Sequence, residues 1–359
     1  MSLILEPIAK NIEHIVDALV TNTLTILPKD TVYNFVANID DLTSQARIYE
    51  LKQRNDTNPL TLNIAHFEMS AGYIDLNQIE TTIIRSLVGE FWPGQLAIVC
   101  KSNAALLNKY ITKDMCISIA SPSNTYFKQI LDTLQAPLVS TSANLSGQVS
   151  CTHINHIKRY FKTTKDLTIL DNMVALPYGT EGTILKIENN MITILRQGYP
   201  SQNKIVSVLN AKGIDFELVV PITASITLPH GVSRSHYTIN KNIKLVNFIS
   251  YEESNTPESN KVEIMKATTA YLTKHIFIDF NKKNSHLANI THGYVDLSEV
   301  GDIREAIFNL YNVLHELSVL DCQNILIFNI FKSDIEFYTI MDDRVQKICD
   351  YINILIPCF

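Results

Sequence analysis

Short apolar runs rich in β-formers alternate with stretches of helical apolar spacing along the chain, and this alternation restricts the fold to the α/β class. Ile12 to Val20 has helical spacing, Leu24 to Leu27 is a short β-rich run, and Asp40 or Asp41 caps a helix expected to run to Arg54 with Leu42, Ala46 and Tyr49 on one face. Strands are expected near 60–65, 96–100, 116–120 and 137–140, and helices near 82–91, 124–134 and 153–161. Thr183–Glu188 and Met191–Arg196 flank Asn189 and Asn190, a pair that tolerates the positive φ of a type I′ hairpin. That hairpin closes a first domain, and a helical stretch at 203–209 follows it.

A chain of 359 residues, 46% of them hydrophobic, suits two domains. The expected division is a first domain at 1–210, a linker at 211–242 that carries Pro221, Pro229 and Gly231, and a second α/β domain at 243–359. In the second domain strands at 243–249, 275–280 and 324–330 alternate with helices near 259–273, 302–317 and 341–354, the pattern of a smaller three-layer unit. No apolar run approaches the roughly 20 residues that span a bilayer, and Glu6 interrupts the first apolar stretch, so the expectation is a cytoplasmic chain with no membrane partner. The six cysteines form no C-x-x-C pair and read as buried thiols.

A formal charge of −6 argues against general nucleic-acid binding, which draws on many cations. The first 210 residues nevertheless hold 17 Lys and Arg against 18 Asp and Glu, which leaves room there for a local basic cleft. No G-x-x-x-x-G-K-[ST], G-x-G-x-x-G, H-E-x-x-H or G-x-S-x-G is present. A nucleotide would therefore be held largely by side chains. Lys52 and Arg54 stand where a helix ends, just before Asn55, Asp56 and Asn58-Pro59 turn the chain, so both long cations can reach one side of the sheet. The stretch STSANLSG at 140–147 adds hydroxyls and an amide at the end of a strand; Ser142 and Asn144 suit phosphate or ribose. His153 and His156 are spaced for a metal but lack a third ligand, and a solvated helix face is the expectation for them.

Taken together, DTVY (30–33), K-x-R (52–54) with NPL (58–60), FWPG (91–94), STSANLSG (140–147) with Thr152, and ILRQG (194–198) resemble the YrdC-like family of L-threonylcarbamoyladenylate synthases. HGVSRSHY (230–237) resembles the interdomain linker of its two-domain form. The resemblance implies a twisted mixed sheet with helices, then a linker and a smaller Rossmann-like three-layer α/β domain. It further implies that threonylcarbamoyl-AMP and pyrophosphate form from L-threonine, bicarbonate and ATP, with Mg²⁺ carried by ATP. The product serves t6A modification of tRNA through a separate transferase complex, and direct contact with tRNA or RNA is compatible with that role. By position, Lys52 and Arg54 are the catalytic pair. Arg54, Asn58, Ser142, Asn144, Thr152, Arg196 and a lid tyrosine, Tyr237, face ATP. Thr31, Asn63, Ser118, Gly182 and Lys29 face threonine.

The departures from the family pattern cluster on the threonine side. Ser118 stands in place of an arginine assigned to the threonine carboxylate, Asn63 in place of a histidine, Gly182 in place of a serine, and Gln95 and Ala97 in place of a proline and a threonine; Asn34 replaces a glycine. Lys29 is the candidate substitute for the missing arginine. The alternative reading is a degenerate YrdC-like protein that binds nucleotide or RNA without this turnover, and a third is carbamoyl transfer to another acceptor.

Overall fold

The first helical periodicity forms α1 (Ala9–Val20), preceded by β1 (Leu3–Leu5); Ile12, Ile15, Ala18 and Leu19 recur at helical spacing and are buried. β2 (Thr25–Pro28) and β3 (Tyr33–Asn38) follow. Then comes α2 (Leu42–Lys52), started by Asp41, whose carboxylate accepts the Ser44 N–H. The chain continues through β4 (Thr61–Asn63), α3 (Gln78–Phe91), β5 (Ala97–Lys101), β6 (Thr112–Lys113), β7 (Cys116–Ala120), α4 (Thr125–Leu134) and β8 (Leu138–Ser142). After these come α5 (Ile154–Phe161), β9 (Thr168–Leu170), β10 (Ile184–Glu188), β11 (Met191–Arg196), α6 (Gln202–Ala211) and β12 (Glu217–Val219). The structure is a computed structural model that describes residues 1–54, 58–103, 108, 110–220, 239, 241–250, 258–322, 324–328, 336–348 and 350–356. It divides into two compact units, Met1–Ser233 and Arg234–Phe359.

One mixed sheet of twelve strands organises the first unit, in the order β1-β9-β2-β3-β8-β4-β7-β5-β10-β11-β12, with β6 paired to β7 beside that path. Its two faces differ because strand side chains alternate. Phe35, Val139, Leu62, Ile119 and Ile98 share one face across β3, β8, β4, β7 and β5, and all are fully buried in the main core. Asn34, Ser142, Ser140, Thr61, Asn63 and Ser118 share the other. A second apolar cluster under α1 and α4, built on Ile15, Leu27, Val36 and Phe127, covers part of that polar face.

The second unit holds a five-stranded sheet built from β13 (Asn242–Ser250), β14 (His275–Asp279), β15 (Gly293–Asp296), β16 (Asn324–Phe328) and β17 (Asp350–Ile356) in the order β15-β14-β16-β13-β17. Every pairing in it is parallel, and α7 (Glu258–Leu272), α8 (Ile303–Leu317) and α9 (Glu336–Ile348) are its long helices.

Four expectations change. Residues 217–219, assigned to the linker, form β12, because Ile214, Phe216 and Leu218 alternate onto the core, a period-2 signal too short to stand out. The helix expected at 341–354 occupies 336–348, and 350–356 is instead β17, paired along its length with β13. The helix expected to reach Arg54 ends at Lys52. In the hairpin turn Asn189 alone of the pair has a positive φ, 55°, so the turn is not type I′.

Phe35 is fully buried and meets Phe161 edge-on at 5.0 Å between ring centroids. The chain's single tryptophan, Trp92, lies in this unit, so its fluorescence reports that unit alone. Phe35→Ala is expected to lower the unit's stability by about 3–5 kcal/mol, read as a shift of the guanidinium unfolding curve at constant slope.

Candidate active site

The site begins at the end of α2. Gln53 takes a left-handed conformation (φ 50°), which closes the helix in a Schellman turn: Gln53 N–H donates to Glu50 O at 3.0 Å and Arg54 N–H to Tyr49 O at 2.9 Å. The turn releases Lys52 and Arg54 toward the end of β8. The Lys52 ammonium donates to the main-chain carbonyls of Ser142 and of Asn144, the latter at 2.8 Å, while the Lys52 carbonyl accepts the Ser146 N–H at 2.8 Å. Lys52 is only 2% exposed. Burial, and then the neighbouring positive charge of Arg54, hold its ammonium well below the usual lysine range. Arg54 lies over the Tyr49 ring, 5.6 Å from its centroid, and donates to Thr141 Oγ1 at 2.9 Å. The two cations and the amide-bearing turn thus form one cluster.

From Asn144 the contacts continue. Its side-chain amide donates to Leu145 O and Gln148 O, and its Oδ1 lies 3.4 Å from Ser150 Oγ. Ser150 Oγ is 2.5 Å from Glu181 Oε1. Next to Glu181, the Gly182 carbonyl accepts from Arg196 Nε at 2.9 Å. The positive field of Arg196 reaches Lys29. Burial, opposed by Asp30 and aided by Arg196, brings the Lys29 ammonium down to about 8. Six strands separate β2, which Lys29 follows, from β11, which Arg196 ends. Laid flat, they would stand about 34 Å apart at ~4.8 Å per strand, beyond the roughly 10 Å over which charges interact in salt solution. Loops at the strand ends bridge that distance: Asp30 Oδ1 accepts the Ser123 N–H at 2.7 Å, Ser121 O accepts the Gly94 N–H at 2.8 Å, and Gly182, whose carbonyl takes Arg196 Nε, lies against Gln95.

Thr31 and Thr152 are buried on adjoining segments: Tyr33 N–H donates to Cys151 O at 2.8 Å. Asn58 accepts the Tyr49 O–H on its carbonyl at 2.7 Å. Asn63 and Ser118 lie on the polar face, where they direct their hydrogen bonds into the sheet. Ser118 Oγ is 3.1 Å from Thr61 Oγ1, and the Asn63 amide donates to Ser140 Oγ at 2.8 Å and to the carbonyls of Thr61 and Leu138. Asn34 Oδ1 and Asn63 Oδ1 are buried there without a donor. Tyr237 lies outside the described residues, as does the linker motif at 230–237.

Gly182 brings no side chain to the site, and none fits: a Cβ would stand 1.8 Å from Gln95 O. His156 is not on a solvated face, being 3% exposed with Nδ1 accepting the Thr152 N–H at 3.3 Å; His153 Nδ1 accepts the Asn155 N–H as the cap of α5. Cys100, Cys116, Cys151 and Cys322 are free thiols, and Cys349 and Cys358 lie outside the described residues. Sequence reasoning missed Glu181, Ser150 and Asn34. Glu181 is an acid among apolar and small residues, with no partner within helical reach to mark it.

A family model described as "Telomere recombination" (Sua5_yciO_yrdC) matches residues 17–198, half of the chain. The chain belongs to the Sua5/YciO/YrdC family. Among its relatives, a protein of Bacillus subtilis named threonylcarbamoyl-AMP synthase is 25% identical over 227 residues, covering 58% of this chain and 60% of that one. One of Pyrococcus abyssi with the same name is 27% identical over 176 residues, covering 49% and 50%. The matched region thus spans less than two thirds of either relative. A crystal structure of P. abyssi Sua5 complexed with L-threonine aligns with a TM-score of 0.78 at 20% identity, over 98% of this chain and 99% of that one, and shows that the Sua5 fold extends across both units. Gly182→Ser is expected to lower the stability of the first unit by about 1–3 kcal/mol through the clash with Gln95, measured by Trp92 fluorescence in guanidinium.

Proposed function

We propose that this protein is a threonylcarbamoyl-AMP synthase that acts on ATP, L-threonine and bicarbonate. The observation that carries the reading is the convergence of Lys52 and Arg54 on the 141–144 segment. The names of the relatives support it. In this reading the threonine nitrogen bonds to the carbon of bicarbonate with loss of water, and a carbamate oxygen then attacks the α-phosphorus. The bond to pyrophosphate breaks as the new one forms. Such a transfer needs alignment and charge neutralisation rather than a covalent nucleophile.

Two main-chain carbonyls take two of the three Lys52 protons, which leaves one for a phosphate oxygen. Arg54 keeps most of its fork for the triphosphate. Ser142, Asn144, Thr152 and Asn58 line the nucleotide side, and Arg196 adds a phosphate contact. The donors in this cluster are ammonium, guanidinium, amide and hydroxyl groups, a set that fits phosphate oxygens. Mg²⁺ accordingly enters bound to ATP, where it neutralises phosphate charge. Threonine lies toward Thr31 and the polar face of the sheet. Lys29, beside Arg196, takes its carboxylate. The labile product passes to the transferase complex of the t6A pathway that acts on tRNA.

One observation favours the degenerate binder instead: Ser118 is engaged by Thr61 and Gly182 has no side chain, so two threonine-side positions contribute little. Pyrophosphate release from ATP with bicarbonate separates the readings. Threonine-dependent release is the expected result, and ATP binding without release would favour the binder. Release that requires a different acceptor would favour carbamoyl transfer. Arg54→Ala is expected to abolish release, and Lys29→Ala to raise the threonine KM by about tenfold or more, as loss of a buried charge partner does. Lys29 is a cation below about pH 8 and neutral above it, so the wild-type threonine KM should climb as pH rises through that value. A threonine KM unchanged in Lys29→Ala would contradict the role given to Lys29.

A further inference from the structure

Glu181 is a buried acid in the same ring of contacts, 3% exposed, in the loop that leads into β10. Its main chain cannot shift easily. A Cβ on Gly198 would stand 2.4 Å from Glu181 O and 2.6 Å from Gly182 C, and Gly182 is itself pressed against Gln95. Its carboxylate is 2.5 Å from Ser150 Oγ and 3.4 Å from Thr180 Oγ1. A serine hydroxyl has one proton, and it goes to the Glu181 carboxyl at 2.5 Å rather than to Asn144 Oδ1 at 3.4 Å. Glu181 therefore holds the 144–150 loop through Ser150 on one side, while Lys52 holds it through the carbonyls of Ser142 and Asn144 on the other.

Three titratable or charged groups act on Lys52: Arg54 from its own segment, Cys151 from beyond β8, and Glu181. Arg54 opposes a second positive charge, and burial pushes the Cys151 thiol far up so that it stays neutral. Glu181 is thus the acid whose field partly offsets the burial of this ammonium, which still lies well below the usual lysine range. On the reading that the ring binds a nucleotide, we propose that Glu181 is a positioning residue: it fixes the 144–150 loop through Ser150 and keeps Lys52 charged, which sets the upper pH limit of nucleotide binding.

The test uses the full chain with ¹⁵N-labelled lysine, the Lys52 signal being assigned by its loss in Lys52→Arg. Glu181→Gln keeps the shape and removes the charge. Lys52 should then lose its proton at a lower pH than in wild type. Calorimetric binding of Mg-ATP should fail at correspondingly lower pH, and Glu181→Asp should recover most of both. Lys52 titrating at the same pH in wild type and Glu181→Gln would overturn the proposal. Wild-type protein that does not bind ATP would sink the functional reading, while the lysine titration would still decide the role of Glu181. Should Glu181→Gln not fold, Ser150→Ala carries the test: it keeps the charge and cuts the tether, so ATP affinity should fall several-fold with its pH limit unmoved. Unchanged affinity, or a shifted limit, would overturn the proposal.

Discussion

The site depends on an ammonium group buried at the end of a helix. Lys52 is nearly inaccessible, yet its donors meet two carbonyls of a turn some ninety residues away in sequence. Leaving a buried charge without partners costs several kcal/mol, so the β8 turn and the end of α2 must form together or not at all. The Schellman turn at Gln53 sets the direction of Lys52 and Arg54, and the Ser146 N–H on the Lys52 carbonyl locks the turn back onto the helix. One clamp thus joins helix, strand end and anion-binding side chains.

Loop contacts supply the rest. Asp30 beside Lys29 holds the 121–124 loop, that loop holds Gly94, and Gly182 between Gln95 and Arg196 completes the path, so Lys29 and Arg196 act on each other across six intervening strands. Like charges meet twice in this arrangement: Lys29 and Arg196 repel, and Lys52 and Arg54 repel. A polyanion between them relieves both, and that is the physical content of the functional proposal. Glu181 is the acid beside these cations, and its carboxylate accepts the Ser150 O–H.

Much of this was legible from local pattern. α1, α4 and α5 follow the apolar periodicity, and β5, β7 and β8 fall where the β-rich runs are. Lys52, Arg54, Ser142 and Asn144, singled out as residue types at a helix end and a strand end, do come together. What failed was decided beyond the local window. β12 and β17 are strands because a neighbouring strand was available to pair with them, and Ser118 is occupied by Thr61, a register partner that only the β4–β7 pairing identifies. Gly182 looked like a lost side chain, but the packing of Gln95 against it shows a position where none can exist. The electrostatic meeting of Lys29 and Arg196, like the tie from Glu181 to Ser150, is a product of tertiary loop contacts, and no spacing in the chain encodes it.

The claim on which the account turns is that the clamp holds Lys52 ready for a triphosphate. Calorimetric titration of ATP and of AMP into the wild type and Lys52→Met, with unfolding curves confirming that both are folded, tests it directly. The account predicts that wild type prefers ATP over AMP and that Lys52→Met loses about tenfold or more of its ATP affinity while its AMP affinity changes little, the signature of one lost charge-assisted phosphate contact. Equal ATP affinity in the two folded proteins would contradict it.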